Sequence, residues 1–164
     1  MKTTYGQFMD MIKKHPWQAI WEAQSYFKLE ELVPKKEFKH RGEKLLEIIR
    51  PKALLTLLEI RILMNNPIQV NTWLWNSSGF EYRGWRPPSY YLDEQSYSQH
   101  IFFNAFDFDV KDKDVDEVRQ LLYQYKQEGK LQHLTGIEED VSWIHIDCRE
   151  SLRLNDDGLF LFKA

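Results

Sequence analysis

Two histidines and one aspartate stand in apolar surroundings in two separate stretches of the chain. His100 and Asp107 lie seven residues apart in SQHIFFNAFD, and His145 lies in the second stretch, WIHID. Taken alone, each histidine would be interpreted as a buried or loop residue of an aromatic-rich protein. Two imidazoles and one carboxylate, however, are a common ligand set of catalytic zinc, which keeps its fourth coordination position open for water. The two motifs together therefore favour a metal site.

Strand periodicity decides which side chains can converge on such a site, because alternate residues of a strand share a face. A strand over residues 139–147 would place five side chains on one face: Glu139, Val141, Trp143, His145 and Asp147. By the same rule, His100 and Asp107 fall on opposite faces of a regular strand. They can meet only where a bend or a bulge interrupts it, and the metal site therefore predicts such a break.

The patterning of the whole chain indicates how these stretches are carried. Apolar spacing predicts helices over residues 5–14, 17–32, 45–63 and 115–128. Alternation and turn signals predict strands over residues 68–75, 101–110, 141–148 and 159–162. This order predicts an α+β fold, with N-terminal helices followed by a small, mostly antiparallel sheet and a packed helix.

Composition excludes several classes of partner. At 164 residues the chain is long enough for one domain with a sizeable core. The formal net charge of −3 gives no basic surface, so nucleic acid is not an expected partner. No apolar run approaches the roughly 20 residues that a membrane span needs. Without a recognisable signal peptide and with Cys148 as its single cysteine, the protein is expected to be synthesised in a reducing cytoplasm.

The order of the motifs resembles that of a known peptidase family. Ser98, His100 and Asp107 in Ser-x-His-(x)6-Asp, followed by a late His-x-Asp, resemble the D-Ala-D-Ala carboxypeptidase and L-Ala-D-Glu endopeptidase family. Further similar segments are FKLEEL at 27–32, LLTLLEIR at 54–61, PIQV at 67–70 and RGWRP at 83–87. The resemblance runs from residue 26 to 149. It implies a hedgehog fold, with a zinc peptidase-like domain over 26–164 and a helical extension over 1–25.

The resemblance also implies roles for individual residues. The Zn²⁺ ligands would be His100, Asp107 and His145. Arg86 matches the turn arginine that holds the substrate and its developing oxyanion in the family, with Arg83 as the second candidate. The supporting or substrate-binding residues would be Ser98, Trp143 and Asp147. Independently of the resemblance, the aromatic content of the irregular segment over 76–99 suggests a wall of the cleft, and core packing beneath a long loop is the other interpretation.

Two positions depart from the family's pattern. Phe103 replaces a glycine, and a bulky side chain is expected to be incompatible with a positive φ or a close backbone approach, so the local backbone path is expected to differ. Ser142 stands where many relatives carry the catalytic glutamate, three residues before the last histidine. Hedgehog-type members place it six residues before, which makes Glu139 the predicted base, with Glu138 and Asp140 as alternatives. An exposed acidic loop is the other interpretation of these three residues.

The resemblance implies a metallopeptidase that hydrolyses a peptide bond in the D-amino-acid-containing stem peptide of bacterial peptidoglycan, through a metal-activated water. A small enzyme of this kind resembles a phage endolysin, released to the cell wall or carried in a virion. The alternative is a zinc-binding module of the same fold without catalysis, acting as a phage structural or binding protein. The departures at Phe103 and Ser142 are what that alternative predicts. Which peptide bond is cut, and the oligomeric state, are left open.

Overall fold

The computed structural model describes residues 3–15, 18, 25–91 and 97–163. Its α-helices are α1 (Tyr5–Lys14), α2 (Lys35–Arg41), α3 (Pro51–Met64) and α4 (Val115–Gln127). Its strands are β1 (Ile68–Gln69), β2 (Ala105–Val110), β3 (Gly136–Glu139), β4 (Ile144–Asp147) and β5 (Phe160–Lys163). Short 3-10 helices cover Leu29–Glu31, Gly42–Glu47 and Pro88–Tyr90. The predicted α+β class is confirmed. Residues 17 and 19–24 of the helix predicted over 17–32 lie outside the described residues. The prediction is wrong for the end of that helix, because residues 27–28 are not helical and Leu29–Glu31 form a separate 3-10 helix.

Local sequence explains where the helices begin. Thr4 caps α1 in a reciprocal capping box with Gln7. The Asp114 carboxylate accepts from the first backbone N–H groups of α4. Pro51 occupies the first turn of α3, where its missing N–H costs nothing. Because most residues of α3 are buried, this helix is the centre of the core.

The five strands form one mixed sheet in the order β1-β2-β4-β3-β5. All neighbouring pairs are antiparallel except β3 and β5, which are parallel. One face of β2, β3 and β4 carries five apolar side chains of the main core cluster: Phe106, Phe108, Ile137, Ile144 and Ile146. The opposite face carries acids and a histidine, so the sheet separates the core from the candidate site.

The N-terminal helix packs against the same core. The Phe8 side chain is fully buried in the cluster that contains α3. The Tyr5 hydroxyl donates to the Glu59 carboxylate on α3 at 2.8 Å. That carboxylate also accepts from the backbone N–H of Leu131 at 2.9 Å, so one buried acid joins three segments. None of the described helices has the length and apolar character that crossing a membrane requires.

Candidate metal centre

The three predicted ligand side chains converge, and each is nearly inaccessible to solvent. His100 Nε2 lies 3.2 Å from Asp107 Oδ1, and His145 Nδ1 lies 2.7 Å from the same oxygen. The two imidazole nitrogens are 3.3 Å apart. Zinc bonds of about 2.0–2.1 Å in a tetrahedral arrangement separate neighbouring ligand atoms by about 3.3 Å. The spacing of this group therefore fits one small metal ion.

Strand pairing and a turn bring the ligands together. Asp107 on β2 stands directly opposite His145 on β4, and directly opposed residues of antiparallel strands project from the same face. His100 lies in a turn over 99–103, before β2 begins. The break that the metal site required between His100 and Asp107 is therefore present.

Phe103 closes this turn in the left-handed conformation, with φ of 52°. The expectation that a bulky residue would exclude a positive φ is therefore wrong. The left-handed region costs a non-glycine residue roughly 1–2 kcal/mol, whereas burying a phenylalanine contributes roughly 1.5–3 kcal/mol. The Phe103 side chain is fully buried and packs against the rings of Trp85 and Phe106, with centroid distances of 6.2 and 5.9 Å. Burial thus offsets the backbone strain.

The outward nitrogens of both imidazoles face groups that only accept hydrogen bonds. His100 Nδ1 lies 2.6 Å from the Gly84 carbonyl oxygen, and His145 Nε2 lies 3.3 Å from Asp147 Oδ2. Each outward nitrogen must therefore carry the hydrogen. In neutral imidazoles the inward nitrogens then carry lone pairs, and both lone pairs face the Asp107 carboxylate. Three acceptors meeting in a buried space require a cation or an additional proton between them.

Without a metal, the additional proton belongs on His145. Burial lowers its pKa, but hydrogen bonds to Asp107 and Asp147 outweigh burial and raise the pKa to about 9. Burial instead lowers the pKa of His100, against the opposing effect of Asp107. Despite its own burial, Asp107 has a pKa below its usual range because both imidazoles hydrogen-bond to it. Metal binding would displace the proton from His145.

Asp147 is held tightly behind His145. Its side chain is fully buried, and its two carboxylate oxygens accept from Arg149 Nε at 2.9 and 2.8 Å. A Cβ on Gly136 would lie 2.1 Å from Asp147 Oδ1, and a Cβ on Gly84 would lie 2.0 Å from the Leu32 carbonyl oxygen. The carboxylate that supports His145 therefore occupies space that only glycine leaves open at position 136. The residue whose carbonyl oxygen supports His100, Gly84, must itself be glycine because the Leu32 backbone lies against it. Neither glycine was predicted to support the site, because a close backbone approach leaves no local pattern in the sequence.

Arg86 contacts the Asp107 oxygen that faces away from the imidazoles. Its Nη2 donates to Asp107 Oδ2 at 2.5 Å, and its Nη1 donates to the Tyr91 hydroxyl at 3.3 Å. This contact leaves Oδ1 alone to face the two histidines. Arg83, the second candidate, pairs instead with Asp109, which lies on the same face of β2 two residues after Asp107. The structure therefore places Arg86 at the centre and Arg83 beside it.

Glu138 is the acid on the face of His145. Its Oε2 lies 3.8 Å from His145 Nδ1, and burial raises its pKa. The Glu139 carboxylate instead accepts from the Tyr123 hydroxyl of α4 at 3.2 Å. The expectation that Glu139 shares a face with His145 is wrong, because β3 ends at Glu139 and a bend over 140–143 precedes β4. Asp140 follows that strand end with φ of 60° and is exposed.

A cleft of about 360 Å³ surrounds the centre. Its lining contains Arg86, Tyr97, Ser98, Gln99, His100, Asp107, Glu138, Trp143, His145, Arg149 and Phe162. Ser98 and Trp143, both predicted to support the site, are therefore part of its wall. The Trp143 Nε1 is buried and has no hydrogen-bond acceptor within the described part of the chain. The cleft therefore borders all three residues of the candidate metal centre.

Comparisons of the chain with protein-family models, with curated proteins and with solved structures found no match. The chemistry of this site is therefore argued from its own geometry. Two imidazoles and one carboxylate, with an adjoining cleft, form a group that could hold one metal ion.

Proposed function

We propose that the protein is a zinc-dependent peptidase that hydrolyses a peptide bond in the stem peptide of bacterial peptidoglycan. One observation carries the proposal: the buried convergence of His100, Asp107 and His145, with their lone pairs facing one another, at a cleft. Support for the substrate class comes from the order of the motifs, which resembles that of peptidoglycan peptidases. An enzyme of this kind would serve as a phage endolysin or as a wall-degrading component of a virion.

Zinc is the metal that this ligand set fits best. Imidazole suits zinc and other transition metals, whereas a site for magnesium or calcium is built from oxygen ligands. Three protein ligands are the number that catalytic zinc sites use, so that one position remains for water. When bound, the ion would lower the pKa of that water to about 7 and polarise the substrate carbonyl.

Glu138 is the residue that we assign as the general base. Of the three candidate acids it is the one that faces His145, with Oε2 at 3.8 Å from Nδ1, and it lines the cleft. A carboxylate whose pKa is raised by burial both accepts a proton from the attacking water and returns it to the leaving amine. In this assignment Arg86 fixes Asp107 in its ligating orientation and presents a positive charge to the developing oxyanion.

Metal analysis and a matched pair of variants test this function. Purified protein should contain about one zinc per chain, and His145→Ala should lose it. Wild type should release peptides from peptidoglycan, detected by mass spectrometry. Glu138→Gln should retain zinc but lose at least about a hundredfold in rate. Glu139→Gln is the matched control, since it makes the same change one residue along the strand, and it should remain active.

The outcomes separate the parts of the proposal. Protein that takes up no zinc on reconstitution would refute the metal centre. Activity retained in Glu138→Gln but lost in Glu139→Gln would overturn the assignment of the base. Zinc-loaded wild type that binds peptidoglycan without releasing peptides would support the second candidate, a non-catalytic binding module. The observation that favours this candidate is that Ser142, where many relatives of the similar family carry the acid, lies exposed in the bend before β4.

A further inference from the structure

We propose that three tyrosines beside the metal centre, Tyr82, Tyr90 and Tyr91, form a platform that binds one sugar ring of the peptidoglycan glycan. This inference rests on the proposed function and extends it, because it names a stem peptide still attached to its sugar as the substrate. The three residues are called the tyrosine platform below.

The rings of the tyrosine platform lie against one another at the surface. The centroids of Tyr82 and Tyr90 are 4.6 Å apart, and those of Tyr90 and Tyr91 are 4.9 Å apart. Tyr82 is 38% exposed and Tyr90 is 44% exposed. Aromatic side chains normally bury most of their area, so these two adjacent rings form an aromatic surface that is open to a ligand.

A single guanidinium connects the platform to the metal centre. Arg86 Nε donates to the Tyr82 carbonyl oxygen at 2.7 Å, and its Cζ lies 5.7 Å from the centre of the Tyr90 ring. The same guanidinium donates to the Tyr91 hydroxyl and to Asp107. The Tyr90 ring therefore lies within about 10 Å of a metal-ligating carboxylate, which is the reach of about three extended residues. A sugar on the platform would therefore lie about three residues from the metal centre.

The two arginines next to the platform are already paired with aspartates, and Glu81 adds a negative charge beside Tyr82, which disfavours an anionic ligand on the platform. Arg86 pairs with Asp107, and Arg83 pairs with Asp109. Aromatic rings with hydroxyl groups at their edges offer an apolar face and polar rims. A pyranose ring has the complementary character, since its C–H groups form an apolar face and its hydroxyls lie around the rim. In peptidoglycan the stem peptide is joined by an amide to such an amino sugar, so the sugar would lie at one end of the bound peptide.

Two measurements test the platform. In the first, kcat/KM is compared for a stem peptide linked to its disaccharide and for the same peptide alone. Wild type should prefer the linked substrate by about tenfold in kcat/KM, because covering one ring face with a ligand removes apolar area from water. Tyr90→Ala should lose most of that preference. Leu161→Ala is the matched control, because Leu161 is 37% exposed. It lies on the face of β5 opposite Phe162, which lines the cleft. It should leave the rates on both substrates unchanged.

In the second measurement, the peptide-free disaccharide is titrated into the protein at millimolar concentration and followed by NMR. Saturable binding by wild type that is lost in Tyr90→Ala would support the platform, even if neither substrate is hydrolysed. Hydrolysis of both substrates at equal rates would overturn the platform while leaving the proposed peptidase standing. Absence of saturable disaccharide binding would likewise overturn it. Cleavage that leaves many more than three residues on the sugar would contradict the distance argument.

Discussion

The glycine behind Asp147 offers a sensitive test of how the metal centre is held. In Gly136→Ala the added Cβ would lie 2.1 Å from Asp147 Oδ1 and 2.4 Å from its Cγ. Observed contacts to Cβ essentially never fall below 3.0 Å, so the carboxylate must move by about 1 Å. It cannot move freely, because its side chain is fully buried and is held through both oxygens by Arg149.

Displacing the carboxylate removes the acceptor that orients His145. Loss of such an acceptor behind a ligating histidine typically weakens metal affinity by 10–100-fold. We therefore expect Gly136→Ala to weaken zinc affinity by about that factor, measured by competition with a chelator of known affinity. Overpacking should also lower the free energy of unfolding by about 1–3 kcal/mol, measured on metal-free protein in urea.

The control is Gly6→Ala in α1, where an added Cβ meets nothing within 4 Å. It should leave zinc affinity unchanged and raise the free energy of unfolding by roughly 0.5–1 kcal/mol, because alanine is the better helix former. Asp147→Asn provides a second route if Gly136→Ala fails to fold, since it weakens the same support without added volume. Zinc affinity within twofold of wild type in folded Gly136→Ala would refute the view that Asp147 positions His145.

Three further predictions follow from features of the core and the centre. Phe103→Ala should lower the free energy of unfolding by about 3–5 kcal/mol in urea denaturation, because the lost burial exceeds the relief of strain; a change below 1 kcal/mol would contradict this balance. Lys126→Met should lower the free energy of unfolding by about 2–3 kcal/mol in the same assay, because the Lys126 ammonium donates to three backbone carbonyls within residues 131–134. An unchanged midpoint of unfolding would show that water replaces the ammonium. In metal-free protein His145 retains its proton below pH about 9, so zinc affinity measured by calorimetry should rise about tenfold per pH unit from 7 to 8.5. A zinc affinity that does not change between pH 7 and 8.5 would show that His145 does not carry the proton that the metal displaces.

Short-range patterns were sufficient to predict the parts of the centre that lie on regular strands. Alternation placed His145 and Asp147 on one face, and the spacing of His100 and Asp107 required the turn that the structure contains. These predictions held because side-chain direction within one strand depends only on the parity of the residue number. The α+β class followed for the same reason, since helix and strand periods differ clearly along this chain.

The remaining features depend on contacts between distant segments, which leave no period in the sequence. Counting alternate residues from His145 back to Glu139 predicted the wrong face for Glu139. The two residues lie on different antiparallel strands, β4 and β3, which the bend over 140–143 connects. The left-handed conformation of Phe103 was not predicted, because only packing against the rings of Trp85 and Phe106 offsets its backbone strain. Gly136 acquires its role from a carboxylate eleven residues away on the neighbouring strand. A single strand pattern cannot reveal a requirement that the partner strand imposes.

The pairing of Asp107 with His145 has a mechanical consequence for the folded chain. The two residues are 38 positions apart, and the segment between them contains α4 and β3. An ion bound to both would therefore close a loop around an entire helix and strand, as a disulfide does in secreted proteins, and closing a loop of this length corresponds to about 4 kcal/mol of chain entropy. A chain with one cysteine has no intrachain disulfide of its own. The ion would thus act as the cross-link that fastens this half of the sheet.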